Sequence, residues 1–415
     1  MRIALLSYRS KPHVGGQGVY VARLSRALVD EGHEVEVFSG QPYPDLDPRV
    51  RLTRVPSLDL YRDDDPFRTP RPSEIRDLVD VSEVLTMWTA GFPEPRTFGA
   101  RAARLLRARA DEFDVVHDNQ SLSYGLLRIP LPLVATIHHP ITRDRALDLA
   151  AAPWRRRITV RRWYGFLTMQ RRVARRIPRL LTVSRSSAVD IVDAFGVAPG
   201  AVTVVPLGVD TTVFTPGAAP RVPGRIVAVA SADVALKGVR HLLEAVAKMR
   251  TERDVELELV SKVDPAGPTR TLIDDLGIDD IVRTRSGLDD AELARVLASA
   301  DVACVPSLYE GFSLPTIEAM ACATPLVVSR TGAIPEVVGP DGLCADLVPP
   351  GDSDALARAL MRALDDEPRR RAMGERGRER ATQTYGWPAV AAATVAEYEK
   401  AIADRRGRGN RETTC

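Results

Sequence analysis

The chain has 415 residues, too many for one ordinary core and suited to two domains. Hydrophobic residues make up 45% and charged residues 27%, as in a typical globular protein, and the formal net charge of +2 gives no global field that would draw it to nucleic acid. Lysines number only 5 of the 57 basic residues, a bias that reads as genome composition before function.

The four cysteines, Cys304, Cys322, Cys344 and Cys415, lie far apart without a C-x-x-C pair. That argues for a reducing compartment and against both a disulfide framework and a zinc site. The opening MRIALLSYRS lacks signal-peptide anatomy, and no run approaches the ~18–20 apolar residues of a membrane span. The expectation is a cytoplasmic protein.

In chain order, RIALLSY is a short apolar strand, followed by the Gly-rich turn HVGGQG and a helical run, VYVARLSRALVDEG, closed by Gly32. HEVEVFS is the next strand. This β–loop–α–β order opens a parallel doubly wound sheet. Residues 41–100 are rich in Pro, Asp and Arg and read as an irregular excursion near the mouth of a cleft. FDVVHD (113–118), LPLVATIHH (131–139) and RLLTVS (179–184) are further strands.

The grammar restarts after the prolines at 206, 216, 220 and 223. RIVAVAS (225–231), VELELVS, DVACVPS and TPLVVS are strands; KGVRHLLEAVAKM, DDAELARVLASA and LPTIEAMACA are helices. The division expected is 1–205 for a first Rossmann-like domain and 206–384 for a second. A helix over 385–403 would pack back on the first domain, and 404–415 would be a disordered tail. Two such sheets face a cleft, and ligands bind beyond the carboxyl ends of the strands.

SLYEGFSLPTIEAM (307–320) sets Glu310 on a strand-to-helix loop and Glu318 about one turn into the helix. Pro315 suits the first turn, and Ser313 is placed to cap it. Between the glutamates, the backbone of Gly311, Phe312, Ser313 and Leu314 offers N–H groups at a helix start, an anion site. Polyol, diphosphate, polyol is the layout of a nucleotide sugar. An isolated pair of glutamates at this spacing would be solvated surface; the placement between strand and helix favours the site.

EGFSLPTIEAMACATPLVVSRTGAIPEVV, GLCADLVPPGDSDALARAL, VVPLGVDTTVFTP and VGGQGVYVARLSRALVDEGHEVEVFS together resemble the retaining glycosyltransferases of family 4, which have the two-domain GT-B fold. The resemblance spans almost the whole chain, strongest over 180–365 and weakest over 41–100. It implies transfer of a sugar from a nucleoside diphosphate to an acceptor hydroxyl, such as a lipid or cell-envelope glycan precursor, with retention and without a metal or other cofactor. It implies that Glu318 binds the donor ribose, that Glu310 contacts the donor sugar, and that 312–314 hold the diphosphate with Lys237. Gly15, Gly16 and Gly18 would line the phosphates and acceptor, and His138 would be the active-site histidine.

The family commonly has an Arg five residues before the Lys; here Ala232 stands there, so Arg240 or another residue must supply a second cation. Ala323 stands where Gly is usual. His117 and Asp118 would line the acceptor side with His139, the neighbour of His138; such a histidine pair is otherwise structural or a metal site. The acidic run at 63–65 reads as a solvated loop.

Residues 154–179 carry ten arginines with apolar residues at helical spacing through Trp163, Phe166, Leu167, Val173 and Ile177. This is either a core-packed helix with a solvated basic face or an amphipathic helix on an anionic membrane surface. Three rival readings stay in view. A GT-B sugar-nucleotide epimerase would lack so full a 307–337 signature. A non-catalytic nucleotide-sugar binding protein would be expected to have lost Glu310, Glu318 or Lys237. A Rossmann dehydrogenase fails because the glycine loop is not G-x-G-x-x-G and the second strand does not end in an acid.

Overall fold

The computed structural model describes residues 1–10, 16–62, 64–217 and 220–412. It divides into two compact units, Met1–Pro206 with Val390–Cys415, and Leu207–Ala389.

The first unit is built on a seven-stranded parallel sheet: β1 (Arg2–Ser7), β2 (Glu34–Ser39), β3 (Arg51–Arg54), β4 (Val115–Asn119), β5 (Leu133–Ile137), β6 (Arg179–Thr182) and β7 (Val202–Val204). Their order is β3-β2-β1-β4-β5-β6-β7. Central strands covered on both faces must be apolar throughout, and β1 and β2 are buried at every position after the first. One face packs Leu6, Phe38, Phe98, Leu106 and Val116; a second cluster holds Ile137, Met169, Val173, Leu180 and Phe195.

The second unit repeats the plan with β8 (Val222–Val229), β9 (Glu256–Val260), β10 (Val282–Arg285), β11 (Ala300–Val305), β12 (Leu326–Ser329) and β13 (Ala345–Val348), in the order β10-β9-β8-β11-β12-β13. Ile226, Leu242, Val246, Leu257, Val302, Val327 and Leu360 form its core. In both sheets the first strand lies beside the fourth, and the connections leave them in opposite directions. That reversal opens a crevice at the carboxyl ends of the two strands.

Three expectations need correction. Residues 41–100 are irregular only in part. They contain the edge strand β3, a helix Leu78–Trp88 capped by Asp77 at the N–H groups of Val79 and Asp80, and the start of the helix Glu94–Ala108. Their charges are spent internally: Arg101 bonds both Asp80 and Glu83, each 1% exposed. The basic stretch 154–179 is not one helix but breaks at Tyr164 and Gly165, between the helices Arg157–Trp163 and Phe166–Ala174. Leu167, Val173 and Ile177 are buried, and Trp163 and Phe166 pack on Phe92. The C-terminal helix runs Trp387–Glu412, beyond the expected start of a tail, because Asp404 pairs with Arg179 and Arg405 donates to the Leu131 carbonyl. Among the described residues no helix is long and apolar enough to cross a membrane.

Removing Arg101 would leave two buried carboxylates with one cation fewer. Arg101→Met is expected to destabilise the first unit by about 3–5 kcal/mol, read from chemical denaturation. A loss below about 1 kcal/mol would show that the carboxylates find water instead.

Candidate functional site

In the second unit, Lys237 follows β8 and Glu310 follows β11, so the two come from the adjacent strand ends where the sheet reverses. The Lys237 Nζ donates to Glu310 Oε1 at 2.8 Å, and Ser307 Oγ donates to the same oxygen at 2.7 Å. Glu310 Oε2 has no bonded partner among the described residues, although the side chain is only about a tenth exposed. A carboxylate anchored by one oxygen presents the other in a fixed direction.

Backbone packing sets this geometry. Ala333 N–H donates to the Glu310 carbonyl at 3.0 Å, and Gly332, at φ +52°, lies so close that a Cβ there would sit 2.0 Å from that carbonyl oxygen. Gly238, at φ +65°, presses on the Pro306 carbonyl in the same way. Leu308 N–H donates to the Leu236 carbonyl at 2.8 Å, tying the Lys237 loop to the Glu310 loop. Neither glycine can be replaced without moving a site residue.

The helix Leu314–Ala321 starts directly behind Glu310, with Pro315 in its first turn. Ser313 does occupy the position before the helix, at φ +85°, but its side chain caps no backbone N–H. Its hydroxyl pairs with Thr316 Oγ1 at 2.7 Å instead. The uncapped helix start keeps backbone N–H groups for an anion. Phe312 is buried and its ring meets Tyr385 edge-on, so only its backbone faces the site. Glu318 is half-buried, and burial, then the charge of Asp290, pushes its carboxyl up to about 7.

Ala232 is buried and its N–H bonds Ser261 Oγ. Arg240 is exposed and paired with Glu244 one turn on, so the structure does not bring it to Glu310. Ala323 adopts φ +53°, the left-handed region that a glycine would occupy without strain.

In the first unit, Asn119 ends β4 and His138 directly follows β5. His138 Nε2–H donates to Asn119 Oδ1 at 2.7 Å, and Gln120 Oε1 accepts the His138 backbone N–H at 2.8 Å. Burial, then the charge of His139, lowers His138 to about 3, so it is a neutral imidazole whose Nδ1 is an acceptor. The Asn119 amide nitrogen is buried without a partner. Such a group costs about 1–3 kcal/mol unless something accepts from it, which makes Asn119, bonded to His138, a candidate site residue that sequence reading missed. Its one signal is its place at the end of VVHDN. Ser307 was missed too.

Three expected acceptor-side residues are not at a surface. His117 is fully buried between Tyr398 Oη (2.6 Å) and Thr136 Oγ1 (2.7 Å), because its strand position points into the sheet-to-helix layer. Asp118 is also fully buried, bonded to Ser121 Oγ and Leu122 N–H, and shapes the loop that carries Asn119. Gly18 is buried in the first turn of the helix Gly16–Asp30. His139 is exposed and paired with Asp144 at 3.0 Å. Gly16 starts that helix, and Gly15 lies outside the described residues.

Two Rossmann-like parallel sheets, one in each unit, are the composition of the GT-B fold. Models of known families agree: one described as "Glycosyltransferase Family 4" matches residues 14–213, and one described as "Glycosyl transferases group 1" matches 219–380. The chain is 65% identical over 407 residues to the MMP alpha-(1->4)-mannosyltransferase of Mycolicibacterium hassiacum, covering 97% of this chain and 99% of the relative. It is 32% identical to a D-inositol 3-phosphate glycosyltransferase of Kineococcus radiotolerans, over 97% and 96% of the two chains. Among solved structures, a sucrose-phosphate synthase from Thermosynechococcus elongatus superposes with TM-score 0.72 at 24% identity, over 97% and 99% of the chains. Anabaena HepE in complex with UDP-glucose superposes with TM-score 0.68 at 15% identity, over 96% and 100%. The chain belongs to glycosyltransferase family 4, and it is a glycosyltransferase.

The raised Glu318 carboxyl has a consequence for stability. The folded state holds this proton more tightly than the unfolded chain, whose value is near the ordinary 4.5. Stability from this group is therefore full below about pH 4.5 and lost as pH rises through about 7. Glu318→Gln is expected to raise the melting temperature at pH 8 and to leave it unchanged at pH 4.5. An equal gain at both pH values would contradict the shift.

Proposed function

We propose that the protein transfers mannose from a nucleoside-diphosphate mannose to the 4-hydroxyl of a saccharide acceptor, with retention of the α configuration and without a metal. The observation that carries the reading is the arrangement at the second crevice: Glu310 held by Lys237 and Ser307, beside an uncapped helix start and with Glu318 one turn in. The near-full-length likeness to an alpha-(1->4)-mannosyltransferase supports the sugar and the linkage.

On this reading Glu318 accepts hydrogen bonds from the ribose hydroxyls, and the backbone at 312–314 with Lys237 receives the diphosphate. Glu310 Oε2 orients a hydroxyl of the mannose. The bond from anomeric carbon to phosphate oxygen breaks as the bond to the acceptor oxygen forms on the same face. The departing phosphate oxygen takes the acceptor's proton. The protein's part is to stabilise charge growing on the diphosphate and to hold the reactants in line. His138, neutral and with Nδ1 as acceptor, positions a sugar hydroxyl and adds no charge.

A saccharide acceptor is favoured by the likeness to an alpha-(1->4)-mannosyltransferase; in the basic stretch the apolar residues from 163 to 177 are packed internally, whereas Trp154 and Ile158 are exposed.

Glu310→Ala is expected to lower kcat by about 10²–10³-fold. Glu318→Ala is expected to raise the donor KM by about 10–100-fold, the loss of a charged hydrogen bond of about 1.5–3 kcal/mol. Both follow from steady-state assays with α-1,4-mannobiose as acceptor, and proton NMR of the product should show a new α linkage. Normal kinetics in both variants, or a β product, would sink the reading. Turnover should also survive EDTA; a loss restored by Mg²⁺ or Mn²⁺ would remove the metal-free part.

A further inference from the structure

We propose that the first unit carries a second ligand site, distinct from the residues at its strand ends, for a monosaccharide-sized ligand bearing a phosphate group. The helices Leu78–Trp88, Glu94–Ala108 and Phe166–Ala174 line an open pocket of about 240 Å³, with Arg96, Arg162 and Arg172 exposed at its rim. No acidic residue lines it, yet three arginines do: Arg96, Arg162 and Arg172.

Their hydrogen bonds go only to neutral oxygens. Arg96 Nη2 donates to Thr86 Oγ1 at 3.1 Å and Ser82 Oγ at 3.3 Å. Arg162 donates from Nε to the Thr89 carbonyl at 3.1 Å and from Nη2 to Thr89 Oγ1 at 2.9 Å. Arg172 Nη1 donates to Tyr124 Oη at 3.3 Å. Three guanidiniums grouped without a counter-charge in a concave pocket form an anion site. Their planar donor forks suit the oxygens of a phosphate.

The rest of the wall gives the body of the ligand. Phe92 and Phe166, with ring centroids 5.5 Å apart, form an apolar face on which the C–H face of a sugar ring can lie. Tyr124 and Thr168 add hydroxyls. The volume is below the roughly 300–1,000 Å³ of pockets for drug-sized ligands, which limits the occupant to about one sugar ring.

The cavity is also joined to the strand-end residues. Gln170, next to the lining Met169, donates to the carbonyls of Gln120 and Ser121 at 3.1 and 3.3 Å. The Gln120 side chain holds the His138 backbone, and the same loop continues to Tyr124. The phosphate can belong to the acceptor itself or to a separate small molecule.

The test is calorimetric titration of the full chain with mannose 6-phosphate, mannose and inorganic phosphate. It uses the native protein, the double variant Arg162→Gln/Arg172→Gln, and Lys237→Ala as a control for the second unit. Mannose 6-phosphate should bind at least tenfold more weakly to the double variant and unchanged to Lys237→Ala, and both mannose and phosphate should bind at least tenfold more weakly than the ester. Binding lost only in Lys237→Ala, binding indifferent to the double variant, or no binding at all would overturn the site. If the double variant fails to fold by circular dichroism, the exposed Arg96→Gln takes its place with the same criterion. In turnover assays, inhibition competitive with the saccharide acceptor would support the site and assign the phosphate to the acceptor. Inhibition that leaves the acceptor KM unchanged would support it as a site for a separate molecule.

Discussion

The carboxylate of Glu310 is fixed at one oxygen by two donors from different strand exits. Lys237 arrives from the end of β8, and Ser307 arrives with Glu310 itself from the end of β11. That contact needs β8 and β11 to be neighbours, which the order β10-β9-β8-β11-β12-β13 provides. It also needs their exit loops to touch, which requires Gly238 and Gly332 to bring backbone within reach of carbonyl groups that any side chain would strike. The fold of the second unit thus serves one geometric end: a directed carboxylate oxygen, a cation and a free helix start at a single sheet edge.

The first unit uses the same topology for a different chemistry. It presents hydrogen-bonding groups: the buried Asn119 amide and a neutral His138 held at both its backbone and its ring. A charged site in one unit and a neutral one in the other suit a reaction in which charge develops on the leaving diphosphate and the acceptor arrives as an uncharged hydroxyl.

The fold class and the 307–320 site were legible in the sequence because their information is local. Apolar runs announce buried parallel strands, and the two glutamates, the proline and the helix start lie within fourteen residues. What was not legible depends on partners far away in the chain. His117 and His138 both stand near strand ends. Only the packing of Tyr398, 281 residues from His117, shows that the first is sealed inside while the second stands at the edge. Residues 41–100 read as loop because their Asp and Arg content resembles solvated surface; Arg101 neutralises two of those acids inside the fold. In 154–179 the helical spacing was read through Tyr164 and Gly165, where the chain breaks, and the apolar residues beyond Trp163 pack on Phe92 and the core while Trp154 and Ile158 stay exposed. Asn119 carried no pattern, since one amide at a strand end looks like any other.

The central claim is that the second unit is built around a nucleoside-diphosphate sugar. The most direct measurement is a thermal-shift panel of GDP-mannose, UDP-glucose and ADP-glucose on the native protein and Glu318→Ala. The account predicts that GDP-mannose or another single donor raises the melting temperature and that the rise disappears in the variant, since binding to the folded state alone stabilises it. No rise with any nucleotide sugar would contradict the account, and so would an identical rise in the variant.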